Sequence, residues 1–248
     1  MYLLETELLS ASAPMSERQN LFRPIHKGIR SMLYELGNGL QTTDFADVAE
    51  SNQFAARLKH DLGDSLSNCI LCLLTVHSRH EEKDIFSKLQ VHDPDAVALV
   101  MKEHVEVAQR VREVSKTCDE ITALTSPARR IEIGDRLQQE LNDLFVTYLS
   151  HLNNEEALLV PLMWGWFTDE QLGAMRAQFY GGLPPPLFET WMNWTLPALN
   201  VNELVVLLSG MKTDPPPNRF EDALRLAEKK LDPQLWMTVK GRLGLAAA

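Results

Sequence analysis

Residues 70–85 read Ile70-Leu-Cys-Leu73-Leu74-Thr-Val-His77-Ser-Arg-His80-Glu81-Glu82-Lys-Asp84-Ile85. Ile70, Leu73, Leu74, His77, Glu81 and Ile85 recur at spacings of three and four, so on an α-helix they share one face. That face is apolar above and below the polar pair, which makes it the buried face. An imidazole and a carboxylate are thereby aimed at a protein interior. The ending returns further along the chain as His151-Leu-Asn-Asn-Glu155-Glu156. At this composition roughly 0.05 copies of His-x-x-x-Glu-Glu are expected by chance, and two are present. A bare His-x-x-x-acid pair is much weaker, expected about once, and His60/Asp64 reads as that chance case. Each full motif is preceded at a similar distance by a lone histidine, His26 before His77 and His104 before His151.

Working outward, nearly the whole chain reads as helix. Period-2 alternation is scarce, and apolar residues recur at i, i+3, i+4 over long windows. Pro24 suits a first helical turn, and the helix it opens carries Ile25, Ile29, Met32, Leu33 and Leu36 to a stop at Gly37-Asn38-Gly39. Asp44 caps a second stretch reaching about Gln90, with an interruption near Gly63. Asp93-Pro94 opens a third helix to Leu124, and Ser126-Pro127 a fourth to Leu159, before Pro161. These four predict an all-α, up-down-up-down four-helix bundle. Thr168-Asp169-Glu170-Gln171 is a capping box for a shorter helix to Tyr180. Beyond it the texture changes, since eight of the 13 prolines lie between positions 184 and 233. The expected organisation is an N-terminal arm over 1–19, the bundle and its trailing helix over 20–180, and an extension of short helices over 181–248.

The bulk properties narrow the function. The chain has 248 residues, with 34 acidic and 24 basic side chains, a formal charge of −10 and 45% hydrophobic residues. That is one large domain, or one domain with an appendage, and it can bury a core. An acidic chain without Lys/Arg clusters is a poor partner for nucleic acid or an anionic membrane. No apolar run approaches the ~20 residues of a membrane span. The first fifteen residues carry Glu5 and Glu7 and no basic side chain, unlike a secretory signal. Three cysteines in no disulfide spacing fit the reducing cytoplasm.

Several residues invite competing readings. His80/Asp84 offers a second ligand register on the same helix, but the other repeat has no counterpart, so His80 reads as a surface or supporting residue. Cys69-x-x-Cys72 falls within an apolar run and reads as core packing, since reactive dithiols favour helix N-termini. Tyr148, one turn before His151, could donate to a bound ligand but reads as packing. Trp191, Trp194 and Trp236 read as packing of the extension on the bundle, with a protein partner as the alternative.

Any one of the histidines alone would read as a core residue. Six ionisable groups pointed at one interior cost several kcal/mol each unless something shares them. Imidazole with carboxylate is the donor set of first-row transition metals, and six donors exceed the need of one ion. Two ions bridged by carboxylates fit best.

The pattern of His26 on the first helix, His77-x-x-x-Glu81 on the second, His104 on the third and His151-x-x-x-Glu155 on the fourth resembles the hemerythrin-like, or HHE cation-binding, domain over about residues 20–165. The resemblance implies two non-haem iron ions, other divalent metals being possible, joined by an oxo or hydroxo bridge. His26 and His77 would serve one iron and His104 and His151 the other, with Glu81 and Glu155 bridging. Oxygen-carrying members have a further histidine one turn beyond the third-helix histidine, where this chain has Ala108. Their last carboxylate is an aspartate five residues after the fourth-helix histidine, where this chain has Glu155, four after. Four imidazoles, two bridging carboxylates and one small bridge leave about one open position on each octahedral ion. The expected function is binding of a small ligand (O2, NO or peroxide), or sensing of iron or redox state, rather than catalysis. A diiron oxidase or peroxide-consuming enzyme is one alternative, and a helical interaction module with a degenerate site is another.

Overall fold

Prolines and short polar side chains decide where the helices begin. The computed structural model describes residues 18–59, 69–214 and 218–245, and among these there is helix and no strand. Four long segments frame the interior: α1 (Arg23–Thr42), α3 (Ile70–Glu81), α5 (Pro94–Ala123) and α6 (Pro127–Trp166). A short α2 (Val48–Leu58) precedes α3, and α3 continues through a π turn, Glu82–Phe86, into α4 (Ser87–Leu89). Then follow α7 (Asp169–Gly182), α8 (Pro185–Ala198), α9 (Val201–Thr213), α10 (Asn218–Lys230) and α11 (Pro233–Arg242). Asp93 caps α5 by accepting from Ala96 N at 2.9 Å. Thr168 and Gln171 form the capping box of α7, and Asn200 and Glu203 form another at α9.

Three boundaries differ from the sequence reading, each for a local reason. α1 runs through Gly37-Asn38-Gly39 to Thr42, because Leu40 belongs to the core and carries the helix one turn further. Asp47, not Asp44, caps α2, accepting from Ala49 N at 2.8 Å and Glu50 N at 2.9 Å. Pro161 lies inside α6, which goes on to Trp166, since Met163 beyond it is buried. The expected interruption near Gly63, and His60/Asp64 with it, falls outside the described residues. No described helix is long and apolar enough to cross a membrane.

Two apolar clusters fill the interior. The larger takes residues from α1, α2, α3, α5 and α6 and, in the same cluster, Phe188, Trp191, Leu196, Leu204, Leu208, Ala223 and Val239 from α8 to α11. The chain change at Gly181-Gly182 is therefore not a gap between cores. The smaller cluster contains Phe22, Phe86, Val100, Leu159 and Met163. On each long helix one set of polar residues lies between the two clusters. On α1 it is His26, between Phe22 and Ile29; on α3 it is His77 and Glu81, between Leu74 and Phe86. On α5 it is His104, between Val100 and Val107; on α6 it is His151 and Glu155, between Tyr148 and Leu159. The chain passes from the smaller cluster to the larger along α1 and α5, and the reverse along α3 and α6.

Away from that layer, buried Arg130 ties the α5–α6 connection to α2. Its guanidinium donates to Ser51 Oγ, to Asn52 Oδ1 at 2.6 Å and to Ile121 O at 2.8 Å. Carbonyls at the end of α5 stabilise that charge in place of a carboxylate.

Candidate metal centre

A polar layer between two apolar clusters has no solvent to satisfy it, so its side chains must satisfy one another or a shared guest. The structure brings all six expected residues together. His26, His77, His104, His151, Glu81 and Glu155 are all buried. One donor atom from each of His26, His77, Glu81 and Glu155 lies within 4.8 Å of the others, and the same holds for Glu81, His104, His151 and Glu155. Both groups contain both carboxylates. His77 and Glu81, and likewise His151 and Glu155, share a site because residues four apart on a helix are neighbours.

The imidazoles present the same edge to the centre. His26 Nε2 lies 3.3 Å from Glu81 Oε1 and 3.4 Å from Glu155 Oε2, and His77 Nε2 lies 3.1 Å from Glu81 Oε1. His104 Nε2 and His151 Nε2 each lie 3.4 Å from Glu155 Oε1. Nε2 of His77, His104 and His151, Oε2 of Glu81 and both oxygens of Glu155 are buried without a hydrogen-bond partner. Six orphaned donor atoms facing one small volume fit a guest with several coordination positions.

The titration behaviour shows the same conflict. Burial opposes charge on His26, but Glu156, Glu81 and Glu155 outweigh it and raise its pKa to about 9. Burial likewise opposes charge on His104, whose pKa Glu155 and Glu81 carry to about 10. Burial draws His77 down to about 3. The carboxylates part: burial and the neighbouring charge of Glu81 push Glu155 up to about 8. Burial would raise Glu81 too, but the imidazoles hold it well below the usual carboxylate range. Two buried carboxylates side by side do not both ionise readily, and a shared cation removes that conflict.

A family model, the hemerythrin HHE cation-binding domain, matches residues 18–163. The chain belongs to that family. No curated protein and no solved structure matches it. As an HHE domain the chain is a binder of metal cations, and its His/Glu groups are of the kind that holds them. The family match ends in α6, so α7 to α11 lie beyond it.

Three further acids surround the centre. Glu156 Oε1 lies 3.0 Å from His26 Nδ1, and Glu82 Oε1 lies 2.9 Å from His104 Nδ1. The second glutamate of each motif thus holds the lone histidine of the other half, crosswise. Glu103 Oε2 lies 3.0 Å from His151 Nδ1. An imidazole that offers Nε2 to a metal carries its proton on Nδ1, and these acids accept it and fix the ring. The doubled glutamate signalled the first two, while Glu103 carried no signal beyond adjacency to His104. The π turn lets Phe86 stack on His104, with ring centroids 5.2 Å apart.

The remaining candidates fall outside the donor set. His80 turns to Phe179, with ring centroids 5.5 Å apart, and belongs to neither group. Tyr148 OH reaches Leu74 O at 3.4 Å rather than the centre. Trp191 and Trp236 are buried. The cysteine pair is not mid-helix: Cys69 is the N-cap of α3, its Sγ accepting from Cys72 N at 3.3 Å and donating to Leu58 O at 2.9 Å. Burial pushes the Cys72 thiol up to about 12, so its position at a helix start does not yield a reactive thiolate.

Proposed function

We propose that this chain holds two iron ions, one between His26 and His77 and one between His104 and His151, with Glu81 and Glu155 shared by both. The ions would serve to bind a small ligand (O2, NO or peroxide) or to register iron or redox state in the cytoplasm. The observation that supports this most is that both four-residue donor groups contain the same two carboxylates. A single ion would leave one pair of buried imidazoles without a partner, at a cost of several kcal/mol. Iron held there supplies redox and ligand-binding chemistry. The chain's own part is to fix four imidazoles through Glu82, Glu103, Glu156 and the packing around His77, and to keep water out with apolar clusters on both sides.

Ala108 favours a second reading. It stands one turn after His104 and brings no donor atom, so an ion held beside His104 would keep an exchangeable position. That suits a diiron oxidase or peroxide-consuming enzyme.

Elemental analysis and a visible spectrum of protein made in iron-supplemented cells test the first claim. Two irons per chain with charge-transfer absorption are expected. A folded protein that takes up no metal would leave a helical interaction module. Steady turnover of peroxide or oxygen by the loaded protein would put the enzyme reading first.

A further inference from the structure

The two halves of the centre differ in the charge behind their imidazoles. His104 is backed by Glu82, whose only ionic contact among the described residues is with that ring. His151 is backed by Glu103, whose other oxygen accepts from the neutral amide of Asn154 at 2.7 Å. Two uncompensated negative charges therefore stand behind this half. In the other half His26 is backed by Glu156, but Arg30 Nη1 donates to the same Glu156 oxygen at 2.7 Å and cancels its charge.

His77 has less still. Among the described residues, its only carboxylate contact is Glu81, through Nε2. Its ring lies instead by the Trp191 indole, with centroids 6.1 Å apart and planes at 59°. Trp191 is 1% exposed, and its Nε1 has no hydrogen-bond partner. An indole N–H can only donate, so it cannot accept the proton on His77 Nδ1.

The approach of α8 makes this possible. A Cβ on Gly28 would stand 2.9 Å from Thr195 Oγ1 and 3.1 Å from Thr195 Cα, so the glycine lets α8 press onto α1 one turn from Trp191. The indole is thus the neighbour of the one ring of the four that has no carboxylate on Nδ1 among the described residues.

A carboxylate on Nδ1 makes an imidazole a stronger donor, and losing such a partner typically costs 10–100-fold in metal affinity. Resting on the two-ion reading above, we infer that the two metal positions are unequal. The His104/His151 position fills first and holds its ion. The His26/His77 position, backed by Trp191 and by an Arg30-neutralised Glu156, fills last and exchanges.

The test is anaerobic titration of the metal-free full chain with ferrous ion by calorimetry, repeated with cobalt(II) by absorption. Two steps separated by about tenfold or more in Kd are expected. His77→Ala should delete the weaker step and leave one ion, and Glu103→Gln should weaken the tighter step by about 10–100-fold. Arg30→Gln should strengthen the weaker step and narrow the gap. Trp191→Gln, which places an oxygen acceptor beside the His77 ring, should do the same. Arg30 lies at the partly exposed rim, so it carries the test if the core variant does not fold. Equal affinities, loss of the tighter step in His77→Ala, or two steps unmoved by Arg30→Gln would overturn the inference alone. Fewer than two ions bound by the unmodified chain would overturn the two-ion reading beneath it.

Discussion

α1, α3, α5 and α6 bring every imidazole and carboxylate that meets at the centre, whereas α7 to α11 bring none of these and still share the larger core. The first group announces itself through ligand spacing, because a metal constrains residue type and helical register together. The second announces only its own helices, through capping boxes and prolines, and nothing in it says where those helices dock. The structure answers by laying α8 along α1, with Thr195 against Gly28 and Trp191 against His77. The part that brings no candidate ligand thus sets the surroundings of one candidate ligand. A chemical signature marks where a site is, while its support can lie outside the signature.

The largest test of that contrast removes the second group. Deleting 183–248 strips from the main core Phe188, Trp191, Met192 and Leu196 of α8, together with the buried residues of α9 to α11. Fully burying one large apolar side chain is worth about 1.5–3 kcal/mol, and whole domains are stable by only about 5–15 kcal/mol. The truncated chain is therefore expected to lose cooperative unfolding, measured by circular dichroism on heating. A truncated chain that melts cooperatively and retains metal would show the bundle to be self-sufficient and the shared core dispensable.

The next effect belongs to the first group. Glu81→Ala and Glu155→Ala should each lower the metal content at both proposed positions, because each carboxylate belongs to both donor groups. His80→Ala should leave the content unchanged, since His80 faces Phe179. Metal per chain, measured on variants purified side by side, decides this. Equal content in all three would remove the bridging assignment.

The difference between the regions also explains what could be read in advance. While the assignment of two imidazoles to each ion rests on the family resemblance, the six inward residues follow from His-x-x-x-Glu at helical spacing plus one upstream histidine per half. That logic is local to each helix. The crosswise hold of Glu82 on His104 and of Glu156 on His26 was present in the sequence only as a doubled glutamate, because its partners lie on other helices. Glu103 and Arg30 were silent, since an acid or base on a helix is ordinarily a solvated residue. The helix ends at Gly37-Asn38-Gly39 and Pro161 misled because buried Leu40 and Met163 override local breakers. Tertiary burial of one or two residues outweighs a propensity penalty of about 1 kcal/mol at glycine. Cys69 was misplaced for a related reason: the apolar run around it suggested a continuous helix, whereas α3 starts at Ile70.

A smaller effect probes the seam between the regions. Gly28→Ala gains helix propensity of about 1 kcal/mol. It also places a methyl group against the Thr195 side chain and backbone, and overpacking of this kind costs about 1–3 kcal/mol. Net destabilisation is expected, read as a lower urea midpoint at unchanged slope. Gly39→Ala serves as the control, because a Cβ there would meet only side-chain atoms at 3.6 Å, an ordinary contact. Equal behaviour of the two variants would mean that α8 yields without cost.

The smallest expected effect concerns reactivity and stays within the first group. Ala108 is half-buried on α5, one turn after His104, so a side chain there would face the surroundings of the ion proposed beside His104. With alanine the position contributes no ligand, and the proposed diferrous protein is expected to oxidise irreversibly in air rather than take up oxygen reversibly. Ala108→His adds a donor one helical turn from His104 and closes that exchangeable position. Oxidation should then slow by about tenfold, the lower end of what changes around a ligand set produce. Stopped-flow mixing of reduced, iron-loaded protein with oxygen, followed in the visible bands, measures both rates. Reversible oxygen uptake by the unmodified chain would overturn the expectation and make carriage or storage the better reading. An unchanged rate in Ala108→His would place the exchangeable position elsewhere, with the His26/His77 ion as the next to examine.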